Sequence, residues 1–171
     1  MSYTADSLNR FSAKAVAGYR STKKILQQLG KIKSRKLDKL ILELHDEEFE
    51  KINCLECANC CKTISPAIFD SDVRRMASYL RMKTADFTDT YLLIDKEREY
   101  IFNQLPCPFL NHSNYCQIYK SRPKACREYP HTNRKRFYQI LDLTARNSKI
   151  CPAVFNIIGN LKKRLSDKNF N

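Results

Sequence analysis

Four cysteines fall within eight positions in CLECANCCK, residues 54–62, as Cys54, Cys57, Cys60 and Cys61. Two residues between ligands let a chain curl so that successive sulfurs and backbone N–H groups face one centre, the spacing used by zinc knuckles and bacterial ferredoxins. Adjacent Cys60 and Cys61 do not both reach one small ion easily. The pair therefore reads as sulfurs serving two sites, or as one ligand beside one packed thiol. Metal-free vicinal thiols oxidise readily, so a purely structural use of this segment explains it poorly.

Four more cysteines follow: Cys107 and Cys116 in CPFLNHSNYC, Cys126 in SRPKACREYP, and Cys151 in KICPAVF. A tetrahedral zinc ion and a 4Fe-4S cluster each take four thiolates, so eight allow two mononuclear sites, one cluster with spare thiols, or two clusters. Cys107 and Cys151 each precede a proline, as does the last cysteine of the ferredoxin spacing, where the ring removes an N–H and turns the chain away from the cluster. Cys151 also stands where a helix is about to begin, and the helix dipole favours a thiolate there. The competing reading of each remote cysteine is a small buried hydrophobe.

A four-thiolate centre is anionic and calls for donors around it. In SRPKACREYP, Ser121 caps a short helix with Pro123 in its first turn, which places Arg122 and Cys126 four residues apart on one face, with Arg127 beside Cys126. Both arginines then become donors to sulfur. His112 lies between Cys107 and Cys116 as a substitute ligand, with His45 and His131 further off. A lone histidine in a loop is more often solvated, and these three rank below the thiols.

The elements that must position these residues read as mostly helical. Leu8, Phe11, Ala15, Tyr19, Thr22, Leu26 and Leu29 recur at spacings of three and four, which predicts a helix over residues 5–29 stopped by Gly30. After KIKSRK, a second apolar series from Leu37 to Ile52 predicts a helix running up to the first cysteine, packed antiparallel to the first. The cysteine run itself reads as a loop. A third helix carries Val73, Met76, Ala77 and Leu80 behind a cap at Asp70 or Ser71, and a short fourth begins at Thr84. YLLIDKEREYIFN reads as two apolar runs about a charged turn, a small hairpin. Residues 132–147 suit a helix or a strand, and Pro152 opens a last helix bearing Val154, Ile157, Ile158, Leu161 and Leu165.

The expected architecture is a mostly α (α+β) single domain over 1–171, in which 1–53 forms a helical pair, 54–130 the cysteine core and 131–171 a C-terminal helical segment. The chain has 171 residues, 43% hydrophobic and 29% charged, with three glycines and six prolines. That composition excludes fibrous and disordered classes. No apolar run approaches the ~20 residues of a membrane span and no secretory h-region opens the chain, so the expected location is the cytoplasm. Thiols stay reduced there, which favours metal over disulfides.

Taken in order, CLECANCC, CPFL, CQIY and RPKACREYP resemble the YkgJ-type cysteine-cluster family, a CxxCxxCC domain to which zinc or iron chelation is attributed. The resemblance covers about residues 54–130 and leaves both basic ends and Cys151 outside it. It implies metal binding through Cys54, Cys57, Cys60, Cys61, Cys107, Cys116 and Cys126. A related motif in flagellin lysine N-methylases is associated with an iron-sulfur cluster, which points to iron before zinc.

Three functions compete. The first is a metal-binding protein with a structural or electron-transfer centre and a protein redox partner. The second is a small iron-sulfur oxidoreductase or protein-methylation component, although the chain has no Gly-rich nucleotide loop, no H-E-x-x-H and no C-x3-C-x2-C motif. The third is a nucleic-acid module. Net charge is +13, and residues 1–39 carry ten basic and two acidic side chains while residues 131–171 carry nine and two. NRKRFYQ offers a basic aromatic stretch, but solvated helix faces explain the charge more simply.

Overall fold

A computed structural model describes residues 4–30 and 35–167. The linker 31–34, within KIKSRK, lies outside the described residues. In chain order the elements are α1 (Ala5–Leu29), α2 (Arg35–Phe49), α3 (Cys54–Cys57), α4 (Asn59–Thr63), α5 (Asp70–Tyr79), α6 (Thr84–Tyr91), β1 (Leu92–Ile94), β2 (Tyr100–Phe102), α7 (Lys124–Glu128), α8 (Leu141–Asn147) and α9 (Pro152–Asp167). The fold is mostly helical with one two-stranded antiparallel hairpin, as the apolar spacing predicts. The chain divides into two compact units, residues 1–54 with 130–171, and residues 55–129.

The first unit is built on α9. Thr4 caps α1, its hydroxyl accepting from the Ser7 N–H, and the helix ends where the 3.6-residue apolar period ends. Gly30 stays right-handed (φ −59°), so its role is not a left-handed turn. A Cβ there would sit 3.1 Å from Leu141 Cδ1, and glycine permits that approach. The expected antiparallel pairing of α1 with α2 is not the packing found: α2 lies on α9, and α1 lies on α8 and α9. The reason is the breadth of the α9 stripe, whose Val154, Ile157, Ile158 and Leu161 are fully buried with Leu26, Ile41 and Leu44 from the two earlier helices. Asn156 donates to buried Glu48 at 2.7 Å on the same contact.

Within residues 132–147 the stretch from Phe137 onward is helical and the residues before it form turns. Arg136 takes a left-handed φ of 56°, a single 3-10 turn covers Phe137–Ile140, and α8 follows. The turn is held by Asp38 of α2, whose carboxylate oxygens accept the N–H groups of Arg136 and Phe137 at 2.7 and 2.9 Å.

The second unit has its own core of Ile68, Val73, Met76, Phe87, Leu92, Phe102, Phe109 and Ile118, with Cys107 and Cys116 packed against it. α5 lies on α6, and α6 runs directly into the hairpin, whose register pairs Leu92 with Phe102 and Ile94 with Tyr100. Phe109 stacks parallel to Phe87 at 6.2 Å and meets Phe102 edge-on at 5.5 Å, so the aromatic core reaches the segment that carries the later cysteines. Charge divides unevenly between the units. The first holds twenty basic and nine acidic residues, a net of +11, and the second eleven and nine, a net of +2.

Candidate metal centre

The CxxCxxCC run forms two single helical turns rather than the expected loop. Buried Ala58 separates them in the left-handed region (φ 47°), which breaks what would otherwise be one helix. Cys57 ends the first turn and is buried; Cys60 and Cys61 lie in the second and are half-buried. The Cys61 carbonyl accepts the Cys107 N–H at 2.8 Å, a backbone link between the first cysteine segment and the next.

Residues 107–117 fold back on themselves. Leu110 bridges Cys116, the Gln117 N–H donates to the Phe109 carbonyl at 2.8 Å, and the Asn111 carboxamide oxygen accepts from the Ser113 and Tyr115 N–H groups. That turn brings Cys107 and Cys116 near each other while placing His112 in solvent. A 3-10 turn over Tyr119–Ser121 then leads through Pro123 into α7, which carries Cys126.

The thiols of the second unit influence one another electrostatically. Burial pushes the Cys126 thiol up to about 12, and the negative charges of Cys61, Cys107 and Cys116 add to the rise. Burial likewise pushes Cys107 up to about 11, with Cys61 and Cys116 contributing. Burial also raises Cys116 and Cys57, each with a repulsive contribution from Cys61. Cys61 runs the other way: a thiol hydrogen bond with Cys60, sulfur to sulfur 4.0 Å, pulls it down to about 7, helped by Arg122 and Lys62 against the cost of burial. Cys61 thus ionises more readily than the desolvated thiols around it. A cation that binds there must release their protons, which couples metal affinity to pH.

Arg122, through its charge, favours ionisation of Cys61, Cys116 and Cys126. It does not occupy the first turn of a helix with Cys126, as its spacing suggests. Its backbone is extended (φ −55°, ψ 151°) and α7 begins only at Lys124, because a residue before proline is driven out of the helical region. The guanidinium carbon sits 3.7 Å from the centre of the Tyr119 ring, and the buried Nε has no hydrogen-bond partner. An anionic centre at the thiols suits an unshared buried donor of this kind. Arg127 is exposed and donates to the Arg122 carbonyl at 3.3 Å.

Asp72 and Arg75, which no local sequence pattern singles out, organise this corner. Asp72 is 1% exposed; its carboxylate accepts from the Phe69 N–H at 3.3 Å, from Arg75 Nη2 and from the Lys124 N–H at 3.0 Å. The α5 cap is therefore Phe69 with Asp72 three residues on, not Asp70 or Ser71. Burial alone raises the Asp72 pKa, but the Arg75, Lys124 and Phe69 donors outweigh it and hold the carboxyl below its usual value. A folded pKa below the unfolded one, about 3.9, gives stability that is present above that value and lost as pH falls through the folded pKa. Asp72→Asn should cost about 2 kcal/mol at pH 7. Denaturant titrations at pH 7 and pH 3 should show the gap between wild type and variant shrinking at the lower pH.

The remaining expected residues lie in the first unit. Cys54 is exposed, and Cys151 is half-buried against the first core at the start of α9, where its carbonyl accepts the Phe155 N–H at 3.0 Å. His45 stacks on Phe49, with its Nδ1 2.7 Å from the Thr132 hydroxyl, and desolvation lowers its pKa. His131 takes a left-handed φ of 69° at the start of the returning segment. Among the described residues no three His, Cys, Asp or Glu side chains close around a point as a bound ion requires. No helix among them is long and apolar enough to cross a membrane.

A family model, CxxCxxCC, described as "Putative zinc- or iron-chelating domain", matches residues 53–151. The match extends beyond residue 130 and includes Cys151, which the resemblance noted above left outside. No solved structure matches the chain.

Proposed function

The chain belongs to the CxxCxxCC family, and from that premise we propose that it is an iron-sulfur protein whose second unit holds an electron-carrying cluster on Cys61, Cys107, Cys116 and Cys126. The observation that carries this reading is the joining of three separate stretches of chain: the Cys61 carbonyl accepts the Cys107 N–H at 2.8 Å, Leu110 bridges Cys116, and Cys61, Cys107, Cys116 and Cys126 are all half-buried in one unit. Their chemistry fits the group: soft sulfur donors, a low-pKa thiolate to start binding, and an unshared buried N–H beside them. Cys57 and Cys60 flank the set.

Two features favour iron with sulfide over zinc. A single zinc ion, with Zn–S bonds of about 2.3 Å, draws its four sulfurs to roughly 3.8 Å from one another. Here Cys61 Sγ lies 4.0 Å from Cys60 Sγ, its neighbour in sequence, and among the described residues no three ligand side chains close around one point as a single ion requires, whereas a polynuclear core takes its thiolates from farther apart. The Cys107–Pro108 step also follows ferredoxin usage. Bound there, such a core supplies one-electron transfer; the protein's part is to exclude water from the thiols and to set the charge around them.

Anaerobic purification with iron, zinc and acid-labile sulfide measured against protein tests the reading. Iron and sulfide in equal amounts are the expected result. Zinc without sulfide would overturn the electron-carrying role and leave a structural centre.

A further inference from the structure

The thiol centre has an arginine beside it, and the geometry of the second unit assigns what holds that arginine there. Arg122 precedes Pro123, so its backbone is extended and receives no support from α7. Its support comes from α5. Buried Asp72 binds Arg75 Nη2, and the same Nη2 donates to the Arg122 carbonyl at 3.0 Å; the other side of Pro123 is pinned by the Lys124 N–H on Asp72. The Arg122–Lys124 corner is thus clamped on both sides by one carboxylate, directly at Lys124 and through Arg75 at Arg122. Tyr119 fixes the guanidinium plane from below at 3.7 Å.

We propose that Asp72 and Arg75 are positioning residues that hold the Arg122 corner beside the thiol-bearing segments, and that the unshared Arg122 Nε–H and charge raise the reduction potential of the cluster. The inference rests on the iron-sulfur reading above. Reduction adds negative charge to the centre, and a fixed cation with a free N–H stabilises the reduced form more than the oxidised one. A donor left unpaired in a buried place is costly unless it meets a partner, and a cluster sulfur provides one.

The test uses the full chain, purified anaerobically with its iron and sulfide quantified, and reads the midpoint potential by redox titration. Arg122→Gln should lower the reduction equilibrium constant about tenfold, which for one electron is about 59 mV. Arg122→Lys, which keeps the charge and lacks the Nε–H, should fall between. Asp72→Asn should move the potential in the same direction, and the Asp72→Asn/Arg122→Gln pair should move it no further than Arg122→Gln alone, because Asp72 acts through Arg122. Arg75→Lys serves as the second clamp variant should Asp72→Asn fold poorly by circular dichroism. Additive shifts in the pair, or an Arg122→Gln potential equal to wild type, would overturn the assignment with the cluster reading intact. Absence of iron with sulfide from wild-type protein would overturn both.

Discussion

Replacing Cys126 with serine is expected to release the metal and to loosen residues 55–129 as a fold. Structural metal binding is worth about 10–16 kcal/mol in small thiolate sites, so each of four thiolates accounts for roughly 2.5–4 kcal/mol, on the order of a hundredfold or more in affinity. That sum is as large as the whole stability of an ordinary domain, about 5–15 kcal/mol. The second unit has reason to depend on it, since its core residues share the interior with half-buried thiols and the link between segments includes the Cys61–Cys107 backbone bond. Cys126 is the sharpest choice because burial and three neighbouring sulfurs hold its thiol protonated up to about 12 when no cation is present. Metal analysis of serine variants at all eight cysteines checks the expectation. Loss should be greatest at Cys61, Cys107, Cys116 and Cys126. A Cys126→Ser protein with its full iron content and an unchanged melt would refute the proposed ligand set.

How far this site could be read from sequence depends on the range of the interaction concerned. The long helices were legible because their apolar residues repeat at 3.6, and the stop at Leu29 and the start at Pro152 fall where local chemistry puts them. The hairpin was legible from two apolar runs about a charged turn. The helix-or-strand ambiguity of FYQIL was settled by Asp38, a residue 98 positions away whose carboxylate no local pattern connects to Arg136. Asp72 was hidden for a different reason: Asp70 and Ser71 are stronger cap types by composition, yet the buried position falls to the residue three beyond Phe69. The extended Arg122 was within reach, since any residue before proline is pushed that way. Its proximity to the thiols, and the Asp72 clamp that secures it, are tertiary facts joining α5 to the start of α7.

In the first unit the largest expected effect belongs to Phe137→Ala. Phe137 is fully buried and packs in the cluster formed by Leu26, Leu29, Leu37, Leu40, Ile41 and the α9 stripe. Truncating such a ring removes its transfer energy and leaves a cavity, together about 3–5 kcal/mol. The site has little means of collapse, because Asp38 pins the Phe137 N–H on one side and the 3-10 turn feeds directly into α8 on the other. With a shift of roughly 4–8 °C per kcal/mol in a domain of this size, the melting temperature should fall by at least ~12 °C. Val16→Ala on α1 is the control: Val16 is 61% exposed, and surface changes of this kind stay within about 0.5 kcal/mol. Thermal melts followed by circular dichroism distinguish the two. A Phe137→Ala melt no lower than that of Val16→Ala would mean that the segment between Pro130 and α8 does not pack as described, and that its helical form is not what closes the first core.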